Sequence, residues 1–315
     1  MTALQEARIA VATAQREPER RRKARGGSRL IQFSVFVLPA LVIYLGLVLV
    51  PMGMAIVTST TDYNAFRPDV SFIGLENYVR LANDPAFLRA LTNTVIIAVM
   101  VTLIPNALGL GIAILLDRTG WVFNALRAAF FIPVVLSAVV VSVTWGMILS
   151  DDGLLNTMLM NVGVQDPPGW ISDPNLALYT VGAVICWQSL GIAVVLYLAG
   201  LQGIPKELLE AAEIDGAGPF TRFRTVTWPL LAPVVTISVV LSLIGGFKTY
   251  DQVKVLTNGG PGVGTTNTLA FDIVRYSVEA GQVGYGQAMA TVMLAIIAFV
   301  SIVVLRLLQR REVDL

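Results

Sequence analysis

The sequence predicts an all-α polytopic membrane protein, and three observations carry this prediction. The chain of 315 residues is 55% hydrophobic and 14% charged, which is not the composition of a soluble domain of this size. It contains six apolar runs that reach about 20 residues, the length that a helix needs to cross a bilayer. Its basic residues are concentrated in alternate segments between those runs.

The six apolar runs predict six transmembrane helices in one membrane domain over residues 33–309. Their predicted bounds are 33–57, 91–116, 128–149, 176–201, 229–250 and 288–308. Prolines inside the first three runs predict kinks, because proline lacks the N–H that a helix interior requires.

The distribution of Lys and Arg predicts the orientation of the chain. Residues 1–32 hold eight of these cations, the linker after the second run two, the loop 202–228 three and the C-terminal end three, which is sixteen of twenty-two. The positive-inside rule places such segments in the cytoplasm. We therefore expect a cytoplasmic basic tail over 1–32 that can contact anionic membrane lipid, and a cytoplasmic C-terminal end over 310–315. The first run is too long for a cleaved signal peptide.

The side-chain chemistry excludes several classes of site. The chain has no histidine, and its single cysteine, Cys186, lies inside an apolar run, which excludes disulfides, histidine-based metal sites and Ser-His or Cys-His catalysis. The glycine-rich segment 259–266 lacks the lysine of a phosphate-binding loop, so we expect an extracytoplasmic flexible gate or docking surface there. We predict no bound metal or cofactor and no nucleic-acid partner.

Few ionisable residues lie near the membrane centre, although ion-coupled carriers usually bury an acid there. Lys248 and Asp251 come nearest, at the outer end of the fifth run. Because they are three residues apart, we expect an ion pair that fixes the end of this helix.

The loop 202–228 carries a compact polar segment between the fourth and fifth runs. Pro205 suits the first position of a helix and Gly216 the left-handed residue that ends one, so the spacing predicts a helix of about ten residues. Such a helix is too short to be stable alone in water. Its candidate binding residues are Glu210, Ala211, Ala212, Glu213, Asp215 and Gly216.

Two interpretations of this acidic segment stay open on the residues alone. Glu213 and Asp215 fall in the last turn, where the helix dipole disfavours negative charge by roughly 0.3–1 kcal/mol each. Such a locally unfavourable choice is typical of a surface that docks a soluble partner. Alternatively, Arg222 and Arg224 neutralise the acids within the loop.

Polar residues also lie inside the fourth and fifth runs. They are Trp187, Gln188 and Ser189 in the fourth run, and Ser242, Gly246 and Thr249 at i, i+4, i+7 spacing in the fifth. Such residues can line a path for a neutral hydrogen-bonding solute, with Trp187 stacking on a sugar. The alternative is close helix packing, for which membrane helices use the same residue types.

Several motifs extend these patterns to a known family. The segment Glu210-Ala211-Ala212, followed by Gly216, resembles the EAA loop of binding-protein-dependent ABC importer permeases. The strings at 203–218, 227–231 and 256–261 resemble the carbohydrate-importer branch. The motifs occur in the order of that branch, and the similarity extends from the first apolar run to the end of the chain.

The resemblance implies a type I ABC importer permease fold with both termini cytoplasmic, in the inner membrane of a prokaryote. It implies a second permease subunit as heterodimer partner, two ATPase subunits that bind ATP and Mg, and an extracytoplasmic solute-binding protein. In this family the EAA helix docks into a cleft of the ATPase. That role falls on Glu210, which would pair with an ATPase arginine, on Ala211 and Ala212, which allow close approach, and on Gly216, which turns the chain.

The resemblance also implies a solute path. The large maltose-type relative has sugar contacts at positions that match Gln188, Ser189, Ser242, Gly246 and Thr249, whereas Ile185 stands where that relative is polar. The expected function is half of an ATP-driven translocation path for a carbohydrate. A secondary carrier that works without an ATPase is the alternative.

Overall fold

The structure, a computed structural model, describes residues 33–310, so the basic tail and residues 311–315 lie outside the described residues. The chain divides into two compact units, Met1–Val57 and Thr58–Leu315. The described part of the first unit belongs to one apolar helix, α1 (Phe33–Thr58). A π-helical turn, Leu45–Leu49, interrupts α1 just before Pro51, whose missing N–H removes a regular helical hydrogen bond.

The second unit is built from helices joined by loops of varied length. They are α2 (Glu76–Asn83), α3 (Pro85–Leu116), α4 (Trp121–Val135), α5 (Ala138–Leu149), α6 (Leu154–Asn161), α7 (Ala177–Gln202), α8 (Lys206–Ile214), α9 (Pro219–Phe247), α10 (Asp251–Leu256), α11 (Leu269–Val274) and α12 (Val283–Gln309). Over residues 33–310 the only β contact is an isolated bridge between Thr61 and Phe72. The all-α prediction is confirmed.

Six apolar stretches in the described part of the chain are long enough to cross a membrane, as predicted. They are α1, α3, the stretch Ala138–Asn161 that contains α5 and α6, α7, α9 and α12. The second one, α3, begins at Pro85 and not at residue 91, because Asp84 caps its first turn by accepting a hydrogen bond from the Ala86 N–H at 2.9 Å.

The prediction of one continuous third helix over 128–149 is wrong. The chain leaves helical geometry at Leu136 and Ser137, where ψ is 141° and 147°, so that α4 and α5 are separate helices. Pro133 lies near the end of α4 and cannot donate a backbone hydrogen bond. Ser137 then caps α5 by accepting from the Val140 N–H at 3.3 Å.

The expected Lys248–Asp251 ion pair is also wrong. Helix α9 ends at Phe247, and the intervening residue Tyr250 has a non-helical φ of −127°, so the i, i+3 geometry is lost. The ion pairs among the described residues are Arg222–Glu213, Lys254–Glu279 and Arg275–Asp272.

Small residues bring the central helices of the second unit close together. A Cβ atom at Gly109 of α3 would lie 2.7 Å from the Ala193 Cβ of α7, which leaves room there for glycine alone. Elsewhere along the same two helices, buried aliphatic side chains of α3 and α7 form a core that includes Ile97 and Val181. Cys186 is buried in the same core, as its apolar surroundings predict.

Candidate functional site

The acidic segment forms α8, a helix of nine residues that ends as the sequence predicts. Gly216 has a φ of +79°, in the left-handed region. Its N–H donates to the Glu213 carbonyl, and the Ala217 N–H donates to the Ala212 carbonyl, both at 3.0 Å, which is a Schellman motif. The start differs by one residue, since Pro205 is the N-cap and Lys206 the first helical residue.

The acids of α8 have different surroundings. Glu213 accepts a hydrogen bond from Arg222 Nη1 at 2.9 Å, so neutralisation within the loop applies to this residue. Glu210 and Asp215 are exposed, and their carboxylates have no ion pair or hydrogen bond with the described residues. Ala211 is exposed and Ala212 is half-buried. Glu210 is therefore an exposed, unpaired negative charge next to two small side chains, Ala211 and Ala212.

Apolar side chains flank this charge. Ile214 at the end of α8 is 86% exposed, and Phe220 at the start of α9 is 75% exposed. Ile204, two residues before the start of α8, is buried. A surface that combines a free acid with exposed apolar groups has the chemistry of a protein interface.

Ser242 belongs to a polar network that the sequence analysis did not identify. Asn106 of α3 donates to the Ser242 hydroxyl at 3.1 Å and accepts from the Tyr197 hydroxyl of α7 at 2.7 Å. This network joins α3, α7 and α9. An amide inside the apolar run of α3 was the available signal for it.

Gly246 and Thr249 are buried against neighbouring elements. A Cβ atom at Gly246 would lie 2.6 Å from the Ala98 Cα of α3. The Thr249 carbonyl accepts a hydrogen bond from the Thr268 hydroxyl at 2.7 Å. In this conformation both residues are packed against neighbouring elements, which favours the packing alternative for them.

The polar residues of α7 are more accessible. Trp187 is exposed and makes an edge-to-face contact with Trp145, at 5.3 Å between ring centroids. Gln188 donates to the Leu136 carbonyl at 3.0 Å and accepts from Gln252 Nε2 at 3.2 Å. Ser189 is half-buried, and its hydroxyl has no hydrogen-bond partner in the described part of the chain.

The glycine-rich loop after α10 is anchored to α3. Asn93 Nδ2 donates to the carbonyls of Asn267 at 2.9 Å and Thr265 at 3.1 Å, and the Leu269 N–H donates to the Thr94 hydroxyl at 2.8 Å. The tip is open to solvent, with Val263 88% exposed. This anchoring supports a docking surface over a flexible gate.

A buried acid lies beside this loop. Asp272 of α11 is 1% exposed and accepts a hydrogen bond from Asn267 Nδ2 at 2.6 Å, while Arg275 lies 3.8 Å away. Burial raises the pKa of Asp272 from 3.8 to about 6, against the opposing effects of Arg275 and Asn267, with a small further rise from Asp84.

The raised pKa predicts a pH-dependent stability. The folded state binds the Asp272 proton more tightly than the unfolded state does. The free energy of unfolding therefore rises by up to about 3 kcal/mol as the pH falls from 6 towards 4, and this gain is lost as the pH rises through 6. Asp272→Asn keeps an oxygen that Asn267 can bond, and we expect it to remove this dependence. Melting temperatures in detergent between pH 7.5 and 5 test this, with the exposed Asp152→Asn as the control. Parallel pH profiles for wild type and Asp272→Asn would contradict it.

The chain matches a protein family described as "Binding-protein-dependent transport system inner membrane component" over residues 105–313. This match includes α8 and the polar residues of α7 and α9.

Two relatives match over nearly their whole length. The probable starch degradation products transport system permease protein AmyD of Thermoanaerobacterium thermosulfurigenes is 34% identical, covering 93% of this chain and 99% of the relative. The trehalose/maltose transport system permease protein MalF of Thermococcus litoralis is 32% identical, covering 86% and 92%.

A solved structure has the same fold. It is the crystal structure of a bacterial ABC transporter involved in the import of the acidic polysaccharide alginate, with a TM-score of 0.78 at 20% identity over 92% of this chain and 99% of that chain. Together with the family match and the two relatives, this fold shows that the chain belongs to the inner-membrane permease components of binding-protein-dependent ABC importers.

Proposed function

We propose that this protein is the permease subunit of an ATP-driven importer and forms half of the translocation path for a carbohydrate. The relatives are named for starch degradation products and for trehalose and maltose. A solved structure with a TM-score of 0.73 at 20% identity is that of a bacterial alginate ABC transporter in complex with an alginate pentasaccharide-bound periplasmic protein. A solute-binding protein that delivers the carbohydrate from outside is therefore part of the proposal.

The exposed carboxylate of Glu210 is the observation that supports a role in coupling to the ATPase. This carboxylate is exposed on α8 with no partner in the described part of the chain, and the same loop exposes the apolar residues Ile214 and Phe220. A cationic partner on a soluble ATPase subunit would supply the missing charge. ATP and Mg are then bound by two such ATPase subunits, and this chain is a non-catalytic subunit.

The orientation and the assembly complete the proposal. Both termini and α8 face the cytoplasm of a prokaryote, as the concentration of basic residues in these segments indicates. A second permease subunit pairs with this one as a heterodimer in the plasma membrane.

Transport follows from movement at α8. Closure of the ATPase subunits pulls α8 and, through Gly216 and the start of α9, changes the packing of the central helices. The path opens beside Trp187, Gln188 and Ser189, which are the accessible polar residues of α7. Ser242, Gly246 and Thr249 reach the path only in a conformation in which α9 has moved away from α3.

A secondary carrier is disfavoured because the only acids in the six described membrane stretches, Asp151 and Asp152, lie exposed in the turn between α5 and α6. No Asp or Glu occurs in α1, α3, α4, α5, α7, α9 or α12. An ion-coupled carrier usually has such a group near mid-membrane.

Purification from the native membrane tests the proposed assembly. We expect a tagged chain, extracted in mild detergent, to retain a second six-helix chain and an ATPase with a phosphate-binding loop. Recovery of a stable, monodisperse chain without such partners would contradict the importer.

A further inference from the structure

The helices on either side of the break at Leu136 and Ser137, α4 and α5, do not have the same packing partners. On one side of the break, α4 packs against α7, where a side chain at Gly191 would meet the Phe130 carbonyl oxygen. On the other side, α5 shares a buried cluster with α10, to which Val141 and Val253 both contribute. The backbone at Leu136 and Ser137 is thus a joint between α4, which packs on α7, and α5, which contacts α7 through Trp145 and Trp187 and also packs on α10.

Two glutamine amides meet at this joint. Gln188 of α7 donates from Nε2 to the Leu136 carbonyl at 3.0 Å. Gln252 of α10 donates from its own Nε2 to Gln188 Oε1 at 3.2 Å. The chain of hydrogen bonds therefore runs from α10 through α7 to the break itself.

The chemistry of an amide gives each glutamine a distinct task. The end of α4 leaves carbonyl oxygens without helical donors, and Gln188 satisfies one of them. The donor from Gln252 occupies the oxygen of Gln188 and so directs its NH₂ group towards Leu136. Gln252 therefore orients Gln188, while its own side chain makes no hydrogen bond to α4 or α5.

We propose that Gln188 and Gln252 are positioning residues of transport. Their two hydrogen bonds, from Gln252 to Gln188 and from Gln188 to the Leu136 carbonyl, are called the tie below; they connect α10 and α7 to the break and set the angle between α4 and α5. This inference rests on the proposed function. The same Gln188 amide is the group that a solute hydroxyl would bind, so the tie and solute contact exclude each other in one conformation. The tie holds the resting state and opens when α10 and α7 move apart.

The test uses the complete importer in lipid vesicles, with ATP hydrolysis measured without and with its solute-binding protein. Gln252→Leu should raise hydrolysis in the absence of the binding protein by about fivefold, the factor expected for one neutral hydrogen bond. Gln252→Glu keeps the size and shape of the side chain but cannot donate when ionised, so it should give the same rise. Gln287→Leu is the matched control, because Gln287 of α12 is half-buried and its amide has no hydrogen-bond partner among the described residues.

A double variant tests whether Gln188 and Gln252 act through the same hydrogen bonds or contribute independently to the structure. Gln188→Leu removes both hydrogen bonds, so adding Gln252→Leu should change nothing further. The tie would be overturned if the rise in basal hydrolysis in the double variant equalled the product of the rises in the two single variants. It would also be overturned if basal hydrolysis in Gln252→Glu equalled that of wild type. A wild-type complex that neither hydrolyses ATP nor imports solute would instead refute the proposed function.

Discussion

Glu210→Ala is expected to lower ATP-driven import at least tenfold while the chain remains folded in the membrane. Glu210 has no partner in the described part of the chain, so its removal leaves no broken contact inside the subunit. Alanine is a stronger helix former than glutamate, so α8 persists. Loss of one partner of a buried, hydrogen-bonded charge pair at an interface costs about 2–5 kcal/mol, which is more than a factor of ten in coupling.

Glu207→Ala provides the matched control in the same helix. Glu207 is exposed in the first turn of α8, where it interacts favourably with the helix dipole, an effect of only about 0.3–1 kcal/mol. Import and ATP hydrolysis are measured together for both variants, with the yield of assembled complex as the check on folding. Wild-type import by Glu210→Ala would show that α8 is not the coupling element.

Gly246→Ala is expected to destabilise the folded permease by about 1–3 kcal/mol, the usual cost of overpacking a close contact. The added Cβ atom would lie 2.6 Å from the Ala98 Cα, which is backbone and cannot rotate away. The helices α3 and α9 would have to separate. Melting temperature in detergent and the yield of monodisperse protein measure the effect.

The adjacent Gly245 supplies the control for this prediction. A Cβ atom at Gly245 meets nothing within 4 Å, so Gly245→Ala should be neutral or slightly stabilising. A Gly246→Ala variant that melts with wild type but binds or transports solute poorly would assign Gly246 to the solute path. A lowered melting temperature in Gly246→Ala alone would confirm the packing role.

The parts of the fold that the sequence predicts correctly are set by local physics. Length and hydropathy determine which stretches can cross a bilayer, and these located six membrane stretches. The end of α8 is also determined locally, because Gly216 is the residue type that adopts a positive φ without strain. The sequence pattern at Pro205 placed the start of the helix within one residue.

The incorrect predictions depend on partners distant in sequence. The break at Leu136 lies inside an apolar run, and Gln188, more than 50 residues away, donates to the carbonyl that the break leaves free. The Lys248–Asp251 pair assumed a continuous helix, whereas α9 ends at Phe247. Periodicity alone detected neither change of direction.

The candidate site shows the same division. The i, i+4 spacing placed Ser242 and Gly246 together in α9, whereas Thr249 at i+7 lies beyond the end of α9 at Phe247. The spacing did not reveal that Ser242 and Gly246 pack on α3, where Asn106 and Ala98 lie opposite. Likewise, the composition of α8 identified its acids, but only the fold shows that Arg222 pairs with Glu213 and leaves Glu210 free.

Uptake of a labelled oligosaccharide into sealed vesicles tests the central claim most directly. The vesicles contain the purified assembly with its binding protein on the outside and ATP on the inside. We predict uptake that requires ATP, the binding protein and this chain together, and that Glu210→Ala abolishes. Uptake by this chain alone, driven by an ion gradient without ATP, would contradict the importer and establish a secondary carrier.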